Sequence, residues 1–157
     1  MIQSNAIAAG KGSNMVNIYL ESTIKPPRKG EAYGMWLVEY VNDKDPAKLV
    51  TIEGGCRFAE TTEDAIILTC LIQALMRFFK PCEIRIFTKA KGVLSTLETG
   101  RYATWRALKW QKSDGNAVKN AHLWDIVAHS LEKYKWTITD ADHSYQDYMR
   151  SELKKCQ

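Results

Sequence analysis

The sequence lacks the features of several large protein classes. It has no apolar run of the roughly 18–20 residues that a membrane-spanning helix needs. Its N-terminus shows no basic segment followed by an apolar core, so we expect no secretion signal. These absences predict a cytoplasmic protein that does not enter a membrane.

The spacing of the cysteines gives no sign of a metal site or a disulfide framework. The four cysteines, at positions 56, 70, 82 and 156, form no Cys-x-x-Cys pair and have no histidine at metal-ligand spacing. We therefore expect four reduced thiols, as in cytosolic proteins. A chain of 157 residues can bury roughly 68–70% of its unfolded surface, which suffices for one domain without such staples.

What the sequence does contain is a strand pattern with a carboxylate at its end. Val16–Glu21 alternates apolar and polar residues, which predicts a strand with one buried face. Residues 1–14 are small and polar and predict a flexible tail, so the folded domain is expected over 15–157. Similar patterns predict further strands, with a bulge at Gly54-Gly55, over residues 33–41, 48–58, 83–88 and 136–139.

Helical periodicity fills most of the remaining chain. A Thr N-cap, Thr62, opens a helix that is apolar almost all round and is expected to run to about Phe79, before Pro81. Further helices are predicted over 92–98, 101–110, about 120–134 and after Ser144, where Asp147 would complete a capping box. The order β-β-β-α-β-α-α-α-β-α predicts an α/β fold: a five-stranded mixed sheet with strands 1–3 antiparallel, strands 4 and 5 parallel to strand 1, and helices on both faces.

This order of elements, with particular residues, resembles the type I ribonuclease H fold. The segment Val118–Trp124 (VKNAHLW) is similar to the V-K-N-x-x-L-W stretch of bacterial ribonucleases H. The Trp105…Trp110-Gln111-Lys112 segment is similar to the basic protrusion, or handle, with which those enzymes grip nucleic acid. Thr62 before a buried helix, the strand at 83–88 and Lys135-Trp136 match in the same order.

The resemblance implies a chemistry that this chain retains only in part. The family cleaves the RNA strand of an RNA–DNA hybrid with two Mg²⁺ ions, which are held by four carboxylates. Along this chain those positions are occupied by Glu21, Ile66, Lys89 and Ser151, so one carboxylate remains. Because strands 1 and 4 are neighbours in this fold, we expect an ion pair between Glu21 and Lys89 in place of metal. The expectation is thus no cofactor, with Mg²⁺ or Mn²⁺ needed if the protein is active.

A rearranged catalytic site is the alternative in which the protein is still an enzyme. Asp142 and Asp147 lie after the fifth predicted strand and, with Glu21, would provide three oxygen ligands. His143 lies about where the family has a histidine that helps product leave. The competing interpretation is that Asp147 caps the last helix and that the others are surface loop residues.

Residues 101–112 are the candidate nucleic-acid interface. They contain no acid, and basic residues alternate with tryptophans that can stack on bases: Arg101, Trp105, Arg106, Lys109, Trp110 and Lys112. The competing interpretation is that the tryptophans anchor a helix and the cations are solvated. Glu63 and Asp64 stand where the family has amides that read the hybrid, which disfavours binding in the family's manner.

These observations predict a nucleic-acid-binding module that has lost two-metal cleavage, a pseudoenzyme with a degenerate active site. Two alternatives stay open: a hybrid-cleaving ribonuclease with a weakened or relocated metal site, and a protein-interaction module. The expected partner is an RNA–DNA hybrid or duplex, which the net charge of +4 permits without requiring. The sequence does not predict an oligomeric state.

Overall fold

The structure, a computed structural model, describes residues 15–42, 44–80 and 82–157. The predicted tail at 1–14 and the predicted helix stop at Pro81 lie outside these ranges. The elements are β1 (Met15–Ser22), β2 (Gly30–Asn42), β3 (Asp45–Thr61), α1 (Glu63–Leu75), β4 (Glu83–Phe87), α2 (Lys91–Glu98), α3 (Arg101–Ala107), α4 (Ala121–Leu131), β5 (Lys135–Thr139) and α5 (Gln146–Cys156). In the described part of the chain, no helix is both long and apolar enough to cross a membrane.

The strands form one mixed sheet in the order β3-β2-β1-β4-β5. β1 is antiparallel to β2 and parallel to β4, and β4 is parallel to β5. This confirms the predicted fold class and strand directions. Since β1, β4 and β5 run the same way, their carboxyl ends meet at one edge of the sheet, which we call the carboxyl edge.

Alternation along the strands divides the core between the two faces of the sheet. On one face Ile18 and Leu20 are almost fully buried in a large apolar cluster that includes α1 and α4 residues. On the other face Tyr19 packs with Met149 and Leu153 of α5. The sheet therefore has helices on both faces, and the polar end of β1 faces α5.

The glycine pair in β3 serves close packing, and the predicted bulge there is wrong. Pairing between β2 and β3 is regular through Gly54 and Gly55, and the register shifts lie near the strand ends instead. A Cβ at Gly54 would lie 2.5 Å from the Trp36 ring, and one at Gly55 would lie 2.5 Å from the Gly34 carbonyl oxygen. Glycine is needed at both positions because side chains there would collide with neighbours.

Several helix boundaries differ from the predicted ones. The Thr62 cap is confirmed, since its hydroxyl accepts from the Ala65 N–H at 3.4 Å, but α1 ends at Leu75 rather than near Phe79. α3 ends at Ala107, and Lys109 and Trp110 after it adopt positive φ angles of 57° and 64°. α5 begins after Tyr145, so the predicted cap at Ser144 and the capping box with Asp147 are wrong. Asp147 still lies in the first turn, where free backbone N–H groups favour negative charge.

Candidate functional site

Glu21, near the end of β1, is the acidic residue of the carboxyl edge that sequence reasoning singled out. Its carboxylate is largely buried, with a side-chain exposure of 9%, and its Oε1 accepts a hydrogen bond from Arg150 Nε of α5 at 3.3 Å. Burial raises the pKa of Glu21, and the positive charges of Arg150, Lys25 and Lys89 oppose that rise. Glu21 is thus a desolvated carboxylate whose charged form is stabilised by the neighbouring cations.

Lys89 follows β4 and is bound to the β5–α5 loop. Its Nζ donates to Asp142 Oδ1 at 2.7 Å and to the Asp140 carbonyl oxygen at 2.5 Å. The predicted Glu21–Lys89 ion pair is therefore wrong, because the loop after the neighbouring strand offers Lys89 two acceptors and α5 brings Arg150 to Glu21. The hydrogen bond from Lys89 lowers the pKa of the Asp142 carboxyl. Lys89 still acts on Glu21 through its charge.

The other two candidate positions provide no carboxylate. Ile66 is fully buried in the core, and its neighbour Ile67 is also buried, so neither residue offers a side-chain oxygen. Ser151 is exposed on α5, where the adjacent Arg150 is the residue that meets Glu21. Sequence reasoning missed Arg150, although its position directly before Ser151 could have indicated it.

These residues do not fit a pair of Mg²⁺ ions. Mg²⁺ needs oxygen ligands, and the carboxyl edge combines one buried carboxylate with two cations, Arg150 and Lys89. Among the residues that the structure describes, no group of three or more His, Cys, Asp or Glu is placed to hold a metal ion. The rearranged site predicted from Glu21, Asp142 and Asp147 is therefore not assembled.

His143 is held in an aromatic layer beside the carboxyl edge. Its ring lies 4.3 Å from the Tyr19 ring, centroid to centroid, and its Nδ1 accepts the Tyr145 N–H at 3.2 Å. Burial, together with the charges of Lys89 and Arg150, lowers the pKa of His143 to about 4. The imidazole is therefore neutral at pH 7, and its contacts hold it against the sheet.

A buried carboxylate that sequence reasoning missed lies under the same layer. Glu39 of β2 accepts hydrogen bonds from Asn17 Nδ2 at 2.9 Å and from the Tyr19 hydroxyl at 3.2 Å, both to Oε1. Its Oε2 accepts from the Tyr145 hydroxyl at 2.6 Å. Polar residues at inward-facing strand positions could have indicated this network from the sequence. The network joins β1, β2 and the start of α5.

A cleft of about 530 Å³ lies on the α1 side of the protein and contains half of the predicted nucleic-acid residues. Arg101, Trp105 and Lys112 line it, together with Thr62 at the start of α1. Arg28 and Lys119 bring the lining cations to four, against the two acids Glu63 and Asp64. Burial raises the pKa of both acids. The cleft is therefore a net positive recess with an aromatic wall.

The remaining handle residues are less available than predicted. Arg106 donates to Glu132 at 2.5 Å and lies 3.9 Å from Asp125, and Trp110 Nε1 donates to Asp125 at 3.1 Å. Lys109, between them, is exposed. Acidic residues of α4 and the turn that follows it thus hold part of the handle against the domain.

Trp105 fits both interpretations of the handle tryptophans, as an anchor of its helix and as a wall of the cleft. Trp105 packs against the core, and the Arg101 guanidinium lies 5.6 Å from the centre of its ring. Trp105 therefore anchors α3 while it also lines the recess. Arg101 and Lys112 remain exposed beside it.

Comparison with known proteins places this geometry in a family. The chain is 30% identical over 124 residues to a ribonuclease H of Cupriavidus pinatubonensis, covering 78% of each protein. It is 28% identical over 123 residues to a ribonuclease H of Methylobacillus flagellatus, covering 78% of this chain and 76% of that one. A scan against models of protein families gave no match.

Solved structures show the same fold. A type 1 ribonuclease H with the type 2 active-site motif superposes with a TM-score of 0.69 at 18% identity, over 92% of this chain and 72% of that one. The N-terminal ribonuclease H domain of a Mycobacterium tuberculosis protein superposes with a TM-score of 0.57 at 14% identity, over 92% and 96%. With the strand order and the curated relatives, these findings show that the chain belongs to the ribonuclease H family.

Proposed function

We propose that this ribonuclease H homologue is a nucleic-acid-binding module that has lost two-metal cleavage. The observation that carries the proposal is the pairing at the carboxyl edge. Glu21 is buried and bound by Arg150, and Lys89 at the end of the neighbouring strand is bound to Asp142. Two cations where the family binds divalent metal would repel Mg²⁺ and would need to be displaced before it could bind.

The cleft supports the binding part of the proposal. Arg28, Arg101, Lys112 and Lys119 line one recess, although the sequence carries them in three separate segments. Cations that neutralise phosphates supply most of the non-specific affinity for nucleic acid, and Trp105 adds a surface for stacking. Structural neighbours with TM-scores of 0.60 and 0.59, the foamy viral protease-reverse transcriptase, were solved with double-stranded DNA and with an RNA/DNA hybrid. We therefore infer a hybrid or duplex as the ligand.

Binding is tested by fluorescence anisotropy with labelled hybrid and duplex at several salt concentrations. We expect Arg101→Ala with Lys112→Ala to weaken binding and to reduce the salt slope by about two, since each lost phosphate contact removes about one. The matched control is Lys154→Ala with Lys155→Ala, which removes the same charge from the end of α5. Equal losses in both double variants would contradict a specific role for the cleft.

Cleavage is tested separately with labelled hybrid in Mg²⁺ or Mn²⁺. We expect no product above the rate without protein. Cleavage by the parent chain that disappears in Glu21→Ala or Asp142→Ala would contradict the loss of activity and favour the hydrolase. Failure to bind any nucleic acid, together with self-association, would instead favour a protein-interaction module.

A further inference from the structure

Two of the cysteines lie in contact, although they are on different elements. Cys56 in β3 and Cys70 in α1 have sulfur atoms 3.7 Å apart. Cys70 is fully buried, whereas Cys56 is partly exposed. Gly34, which pairs with Cys56 in the sheet, makes the contact possible, because a Cβ there would lie 2.6 Å from the Cys70 sulfur.

The two thiols have different environments. The contact with the Cys70 sulfur and a backbone hydrogen bond with Gly34 lower the pKa of Cys56, against the opposing effect of its burial. The same contact and its deeper burial raise the pKa of Cys70. Thiolate, not thiol, is the nucleophile, so Cys56 is the sulfur prepared to react and Cys70 is the protonated partner behind it.

We propose that Cys56 and Cys70 are a site of reversible disulfide formation by a peroxide. The Cys56 thiolate attacks one peroxide oxygen, the O–O bond breaks, and the leaving hydroxide takes a proton to become water. The Cys70 sulfur then attacks the sulfenic sulfur, the S–O bond breaks, and a second water leaves with the Cys70 proton. The two thiols lose two electrons to the peroxide, and a dithiol reductant reverses the reaction by exchange.

The bond would connect β3 to α1, whose first residues line the cleft. Residues 56–70 would form a closed loop that contains Thr62, Glu63 and Asp64. The sulfurs need to approach from 3.7 Å to about 2.05 Å, a movement within reach of side-chain rotation and a small shift of α1. Oxidation would therefore fix α1 against β3 and restrict the movement of the α1 residues that line the cleft.

Oxidation of the full chain with hydrogen peroxide under native conditions tests the proposal. Remaining thiols are blocked, and intact mass and peptide mapping follow. We expect the loss of two hydrogen atoms, one peptide pair linked through Cys56 and Cys70, reversal by dithiothreitol and a higher Tm for the oxidised form. The variant Cys82→Ser with Cys156→Ser should behave in the same way.

The variant Cys70→Ser separates the two chemical steps. We expect Cys56 in this variant to stop at sulfenic acid, which dimedone labels, while the parent chain resists labelling. Because a substitution at Cys70 falls in the core, circular dichroism checks that the variant is folded. The proposal is overturned if the folded parent chain gives sulfinic acid at Cys56 without a link, or links other cysteines, or forms only intermolecular disulfides. None of these outcomes depends on nucleic-acid binding, so they leave the proposed function separately testable.

Discussion

The variant Arg150→Ala tests the pairing that distinguishes the carboxyl edge. It removes the cation that binds the largely buried Glu21 carboxylate. Removal of one partner from a fully buried pair typically costs about 3–5 kcal/mol, whereas exposed pairs contribute about 0–1 kcal/mol. The Arg150 side chain is 46% exposed, so water screens the pair in part. We expect the free energy of unfolding at pH 7 to fall by about 1–2 kcal/mol.

The pH dependence of this loss has a defined sign. Burial raises the pKa of Glu21 above its value in the unfolded chain, so the folded protein binds that proton more tightly and stability falls as pH rises above about 4. Loss of Arg150 raises the pKa further and extends this fall to higher pH. The difference between variant and parent should be largest near pH 7 and should shrink toward about pH 4, where Glu21 is protonated in both.

Urea denaturation followed by tryptophan fluorescence at several pH values is the measurement. In a Glu21→Gln background the cost of Arg150→Ala should fall to about 0.5 kcal/mol or less, since no charge is left unpaired. Comparison with this background separates the effect of Arg150 on Glu21 from its effect on His143, whose pKa Arg150 also lowers. Lys155→Ala, which breaks an exposed pair within α5, is the control and should change little. An equal cost of Arg150→Ala in both backgrounds, or a cost independent of pH, would refute the reasoning.

Two further predictions concern the layer beside the carboxyl edge. Lys89→Ala should raise the pKa of His143 from about 4, because the charge of Lys89 helps to lower it, and NMR titration of the imidazole measures this; an unchanged pKa would contradict the role assigned to Lys89. Tyr145→Phe should reduce the free energy of unfolding by about 1–3 kcal/mol, because it removes a donor from buried Glu39. Tyr148→Phe, which loses an exposed bond of similar length, is the matched control, and equal effects of the two variants in denaturant unfolding would contradict the prediction.

The sequence by itself determined the architecture and showed which metal-binding carboxylates of the family are missing from the site. Alternation over Val16–Glu21, the Thr62 cap and the order of elements are local signals, and local signals specify strands, helices and their succession. The strand directions followed from the ribonuclease H resemblance and from the rules of connection. Substituted site positions such as Lys89 are visible without coordinates, because they depend only on residue type.

The tertiary structure alone decided which groups meet. Glu21 and Arg150 are 129 residues apart, and their contact depends on how α5 packs on the sheet. The distance between Cys56 and Cys70 likewise depends on the packing of α1 against β3, with Gly34 between them. Side-chain partners are chosen by packing and rotamers, which no periodicity in the chain encodes. For that reason the carboxyl edge was predictable as an altered site, but the cation that binds Glu21 was not.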